Sequence, residues 1–243
     1  MTDKLHKLNK CELKEWQKSG YTDSDSIKFI FANLNDATYK PSYKDKQSIL
    51  KKSGLDREYR IVPEYSSRDY TVFYDMDCKK YILVFRGTDD KNRVGRQFND
   101  LYTDFLLGIG QVERTKYYKA ADDITKKMID KYGANNIILS GHSLGGRAAG
   151  GLSMKYELPA IIYNEGSSIL DFKYNRAENK YTTHFTTNSL KDLKIDPLSI
   201  SSIIASNKKH IVVASNDDDK NTAYLKEHSL NHFLDNKNKK TKL

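Results

Sequence analysis

A chain of 243 residues, 38% apolar and 11% aromatic, can bury a large core and is not built for disorder. Thirteen Gly and four Pro exclude collagen-like and Gly/Pro-rich architectures, and no apolar run approaches the ~20 residues of a membrane-spanning helix. Of the net charge of +9, four units lie in residues 236–243 and a net two in residues 1–20, leaving +3 for the body. That body has no basic, aromatic-interleaved face or nucleic-acid module, so no nucleic-acid partner is expected.

Along the chain, Asp23 or Ser24 caps a predicted helix with apolar positions Ile27, Phe29, Ile30, Phe31 and Leu34. Pro41 and Gly54 punctuate the next stretch. Three strands are predicted at Glu58–Pro63, Asp69–Tyr74 and Lys80–Arg86, the last two joined by a turn around Asp75–Lys79. A loop and short helix run to Leu107. A long helix covers Gln111–Tyr132 and is closed by Gly133. Then come a strand at Asn136–Ser140, a small-residue helix at Leu144–Tyr156, strands at Pro159–Asn164, Tyr181–Thr187 and His210–Ala214, and a helix over roughly Tyr224–Asp235. Strand and helix alternate from residue 80 onward. The expected fold is α/β, a mostly parallel sheet with an antiparallel hairpin at its start and helices on both faces. No linker divides the chain, so residues 1–243 read as one domain with short Lys-rich termini.

Met1–Lys10 is charged and is followed by no apolar h-region, so no secretory signal is expected. Cys11 and Cys78 are too few for a disulfide framework and favour an intracellular, reducing setting.

The chemistry is concentrated in Asn136-Ile-Ile-Leu-Ser-Gly-His-Ser-Leu-Gly-Gly146, where Gly141-x-Ser143-x-Gly145 joins a predicted strand to a predicted helix. In such a nucleophile elbow the turn is sharp enough to strain Ser143, and the positions two before and two after it must lack bulk. The Ser143 hydroxyl then stands at a helix N-terminus, whose free backbone donors favour negative charge. Acyl transfer needs two such donors aimed at the developing oxyanion. Leu144, the residue after the nucleophile, supplies one. Thr88 begins the loop after the strand Tyr81–Phe85 and suits the other. His142 is the middle residue of Gly-x-Ser, and its side chain is expected to point away from the Ser143 hydroxyl into the packing.

Phe85-Arg-Gly-Thr88 followed by Gly141-His-Ser-Leu-Gly-Gly146, with Asn99-Asp-Leu-Tyr-Thr-Asp-Phe105 between them, resembles the class 3 lipase family of α/β-hydrolases. The resemblance covers roughly residues 25–235. It implies an α/β-hydrolase fold, hydrolysis of lipid carboxylic esters by a Ser-Asp-His triad, oxyanion donors at Thr88 and Leu144, and no cofactor or metal. Chain order Ser, acid, His leaves Asp192 and Asp196 as acids. Asp196-Pro-Leu-Ser199 resembles the family's ending, which favours Asp196, while the long loop Ser189–Ile195 keeps Asp192 open. Asp171 comes too early. His184 and His210 lie in predicted strands. Between the remaining two histidines, His228 in His-Ser-Leu230 is favoured over His232, which reads as a helix-face residue. Leu106, Leu107 and Ile109 suit an acyl-pocket wall or plain core equally.

The partner implied is a lipid or ester substrate, and the Lys-rich ends suit an anionic membrane surface or plain solvation. Two readings of other classes stay open from sequence alone. One is an inactive hydrolase fold that binds without cleaving. The other is a protein that works through its basic tails.

Overall fold

The computed structural model describes Cys11 and residues 24–87, 116–166, 182–186, 210–212 and 230–234. Its centre is a seven-stranded sheet in simple sequential order. The strands are β1 (Tyr59–Ile61), β2 (Tyr70–Asp75), β3 (Lys80–Phe85), β4 (Ile137–His142), β5 (Ala160–Tyr163), β6 (Thr182–Thr186) and β7 (His210–Val212). The first three pair antiparallel and every later pair is parallel. The helices are α1 (Ser24–Tyr39), α2 (Tyr43–Lys52), α3 (Lys116–Tyr132) and α4 (Leu144–Tyr156). With helices on both faces and the β4–α4 junction at its middle, this is the α/β-hydrolase fold.

The period-2 rule sorts the core. Ile82 and Val84 of β3 pack with Ile138 of β4, Ile161 and Tyr163 of β5 and Phe185 of β6 under the α1 side chains Ile27, Phe31 and Leu34. Leu83, Phe85, Leu139 and Ile162 face the other way, toward Tyr118, Ala121, Ile124 and Met128 of α3 and Ala148, Ala149 and Leu152 of α4. A central parallel sheet is buried on both faces, which is why β4 and β5 read as continuous apolar runs.

Several expected boundaries move for local reasons. The first strand shrinks to three residues because Pro63, which cannot donate to a ladder, opens a 3₁₀ turn at Pro63–Tyr65. The hairpin turn is built by Asp75, whose Oδ1 accepts the N–H groups of Asp77 and Cys78, both at 3.0 Å. Lys79 completes it at φ 57°. Helix α2 was hidden in a stretch without a clear apolar stripe. It starts where Ser42 Oγ accepts the Asp45 N–H at 3.1 Å. The long helix is described from Lys116 onward. The closing helix is described only at Leu230–Phe233, and there it is a 3₁₀ turn.

The cysteines correct the reading from sequence. Cys11 and Cys78 are joined by a disulfide across 67 residues, tying the N-terminal segment to the β2–β3 turn. Their count carried no information about their proximity, and once bridged they no longer favour a reducing setting. Among the described residues no helix is long and apolar enough to cross a membrane. A cross-link over 67 residues removes chain entropy worth about 4 kcal/mol from the unfolded state in the chain-entropy account. Reduction with dithiothreitol, or Cys11→Ala/Cys78→Ala, should therefore lower the melting temperature by roughly 5–15 °C, measured by circular dichroism. A thiol titration of the native protein should find no reactive cysteine.

Candidate active site

The site begins in β4, whose six residues are all buried. Its one hydroxyl before the turn is satisfied on both sides. Ser140 Oγ donates to the Ile161 carbonyl at 2.7 Å and accepts from Asn35 Nδ2 of α1 at 2.8 Å. A buried polar group left unpaired would cost about 1–3 kcal/mol, so these bonds allow a serine in the central strand and pin α1 above it.

At the end of β4 the chain turns through Ser143, which has φ 58° and ψ −123°. A non-glycine residue at positive φ costs of order 1–3 kcal/mol and persists only where its surroundings over-determine it. They do so here. The Ser143 N–H donates to the Tyr163 carbonyl at 3.1 Å, and its carbonyl accepts the N–H groups of Arg147 and Gly166, each at 3.0 Å. The two motif glycines supply the space. A Cβ on Gly141 would overlap the Gly145 carbonyl, and a Cβ on Gly145 would overlap the Phe85 carbonyl of β3. Helix α4 then starts at Leu144, directly behind the serine. Ser143 is 6% exposed.

His142 is buried and directs its Nδ1 to the Tyr39 hydroxyl, 2.9 Å away at the end of α1. It is held in a polar contact of its own. On the α4 face of the sheet, Glu165 follows β5 and lies 3.4 Å from Nδ1 of His184 in β6, both at 2% exposure. Gly150 of α4 makes room for that carboxylate, since a Cβ there would come within 3.0 Å of Glu165 Oε1. Sequence reading missed Glu165 and Tyr39. The only trace of Glu165 was the glycine pair Gly150–Gly151 in the small-residue helix, and nothing local flagged Tyr39. Tyr163, beside the elbow in β5, donates its hydroxyl to the Lys28 carbonyl at 2.6 Å. Complete burial holds that phenol well above the ordinary tyrosine range.

Of the expected site residues, the structure therefore describes Ser143 and Leu144, adjacent at the strand–helix junction. Thr88, Asp196, His228 and the alternative Asp192 lie outside the described residues, as do Asp171, Leu106, Leu107 and Ile109. His232 falls in the Leu230–Phe233 turn and His210 opens β7. Among the described residues no group of acidic, histidine or cysteine side chains is arranged to hold a metal ion.

Residues 33–189 match the model of the Tle-like phospholipase domain. The matched stretch includes Thr88, Ser143 and Leu144 and ends before Asp192, Asp196 and His228. No curated protein matches the chain. Among solved structures, the chain is similar to the native Rhizomucor miehei lipase propeptide complex, at 14% identity over 71% of this chain and 64% of that one, with a TM-score of 0.42. It is also similar to a mutant form of MDLA from Penicillium cyclopium, at 14% identity over 82% and 83% of the two chains and a TM-score of 0.44.

The close approach at the elbow has a direct test. Gly141→Ala or Gly145→Ala must push backbone apart and should cost at least about 3 kcal/mol of stability. Met154→Ala, on the same helix but 37% exposed, should change stability by less than about 0.5 kcal/mol. Urea unfolding monitored by far-ultraviolet circular dichroism gives the comparison.

Proposed function

The chain belongs to the family of Tle-like phospholipase domains, and on that footing we propose that it is a serine hydrolase of carboxylic esters, a lipase or phospholipase. The observation that carries the reading is Ser143 itself. It is held at positive φ between β4 and the start of α4, and in a nucleophile elbow such a turn lifts the hydroxyl above the sheet at a helix N-terminus.

The triad proposed is Ser143, Asp196 and His228. As Ser143 Oγ attacks the ester carbonyl carbon, the His228 imidazole takes the hydroxyl proton. The carbonyl oxygen becomes an oxyanion, held by the backbone N–H groups of Leu144 and Thr88. Collapse of this intermediate breaks the ester C–O bond, and His228 gives its proton to the departing alcohol. His228 then takes a proton from water, whose oxygen attacks the acyl-enzyme. The second intermediate releases the carboxylic acid and returns the proton to Ser143. Asp196 holds the imidazole tautomer and stabilises the imidazolium throughout.

The apolar residues Leu106, Leu107 and Ile109 follow the oxyanion loop in sequence and are proposed to receive the acyl chain. The Lys-rich ends are proposed to favour anionic lipid surfaces, each Lys near such a surface adding about 1 kcal/mol of attraction.

Kinetics on a p-nitrophenyl ester tests the assignments. Ser143→Ala should lower kcat by a factor of order 10⁶. Asp196→Asn and His228→Ala should each lower it by ~10³ or more, whereas Asp192→Asn and His232→Ala should leave it within a few-fold. Loss at Asp192 or His232 instead would reassign the acid or base. Full activity in Ser143→Ala would remove the nucleophile, and a wild-type chain inert on every ester would favour a binding role.

A further inference from the structure

Oxyanion stabilisation by backbone N–H groups works only where those groups are already fixed before charge develops. Leu144 meets that condition because it is the first residue of α4. The second proposed donor is Thr88. It directly follows Arg86-Gly87, where β3 has ended. What holds Arg86-Gly87 is therefore a functional matter.

Two tyrosines from opposite faces of the sheet converge there. From α1 comes Tyr39. Its hydroxyl shares a 2.9 Å hydrogen bond with His142 Nδ1, its ring meets the His142 ring edge-on at 5.9 Å, and the Arg86 guanidinium lies over it at 5.8 Å. A Cβ placed on Gly87 would come within 3.2 Å of the Tyr39 oxygen, the His142 carbonyl oxygen and the Ser143 Cβ alike. Tyr39 thus wedges its polar end between the tip of β3 and the elbow, and only glycine fits beneath it. From α3 comes Tyr117, whose hydroxyl donates to the Arg86 carbonyl at 2.7 Å. The Arg86 N–H is taken in turn by the Asp69 carbonyl at 2.8 Å.

We propose that Tyr39 and Tyr117 are positioning residues that clamp Arg86-Gly87 from the two faces of the sheet, and so fix the end of β3, from which the chain continues into Thr88, against the Ser143 elbow. The proposal rests on the acyl-transfer reading above. Neither hydroxyl reacts, and each acts through the backbone it holds. Burial, reinforced by Tyr39 and Asp69, keeps the Tyr117 phenol well above the ordinary tyrosine range, so it stays protonated and donating at any working pH. The clamp also gives α1 a role beyond packing, because its last residue touches the site.

Tyr39→Phe and Tyr117→Phe each remove one oxygen and keep the ring. The experiment measures kcat and KM on p-nitrophenyl butyrate, the rate constant for phosphonylation by a fluorophosphonate, and the melting temperature of the full chain. Each variant is expected to lose about tenfold in kcat and in phosphonylation rate, with KM within twofold and the melting temperature within about 3 °C of wild type. Wild-type kcat in both variants overturns the clamp. So does a rise in KM at unchanged kcat, which marks a substrate contact, and so does a loss in both variants that follows melting temperature, or a failure of both to fold, which marks plain packing. Because the two tyrosines come from different helices, collapse of one variant leaves the other to decide. A wild-type chain that neither hydrolyses the ester nor reacts with the fluorophosphonate refutes the acyl-transfer reading itself, and that result is seen before any variant is made.

Discussion

The whole arrangement depends on one close approach. The Gly145 Cα of α4 sits so near the Phe85 carbonyl at the end of β3 that no side chain fits between them. That contact lets α4 begin immediately after β4, and an immediate start forces Ser143 to positive φ. The strain at Ser143 is offset locally by three backbone hydrogen bonds and globally by the two hydrophobic layers that press α1 and α4 onto the sheet. Sheet, helix and Ser143 are thus one mechanical unit, and a methyl group at either motif glycine would uncouple them.

Polar chemistry is carried through the apolar interior by a few buried contacts. Asn35 reaches Ser140 from α1, and Glu165 lies against His184 beneath Gly150. Tyr39 reaches His142. All lie in or beside β4 and its neighbour β5, the strands next to Ser143. The same contacts that stabilise the fold therefore also make the elbow rigid, which is what a preorganised oxyanion site requires.

Legibility from sequence followed the range of the interaction. The elbow is local: five consecutive residues dictate strand, turn and helix start, and the placement of Ser143 and Leu144 at the junction was readable from them. The antiparallel start and parallel continuation were readable from alternation and from the short turn at Asp75. The three-residue β1 was obscured by Pro63, and α2 by its lack of an apolar stripe. Contacts between distant segments left little or no mark. The Cys11–Cys78 bridge spans 67 residues, the Tyr39–His142 bond spans 103, and Glu165 betrays itself only as missing bulk at Gly150. Thr88, Asp196 and His228 rest on motif position and chain order, since they lie outside the described residues.

The central claim is that the strained residue at the β4–α4 junction is a reactive nucleophile. A fluorophosphonate probe reacts with a serine only where a base activates it and an oxyanion site receives the developing charge. The decisive measurement is to label the intact chain and map the modified peptide by mass spectrometry. A single adduct on Ser143, abolished in Ser143→Ala and in protein unfolded before labelling, is the expected result. No adduct on the folded chain, or an adduct on any other residue, would contradict the claim.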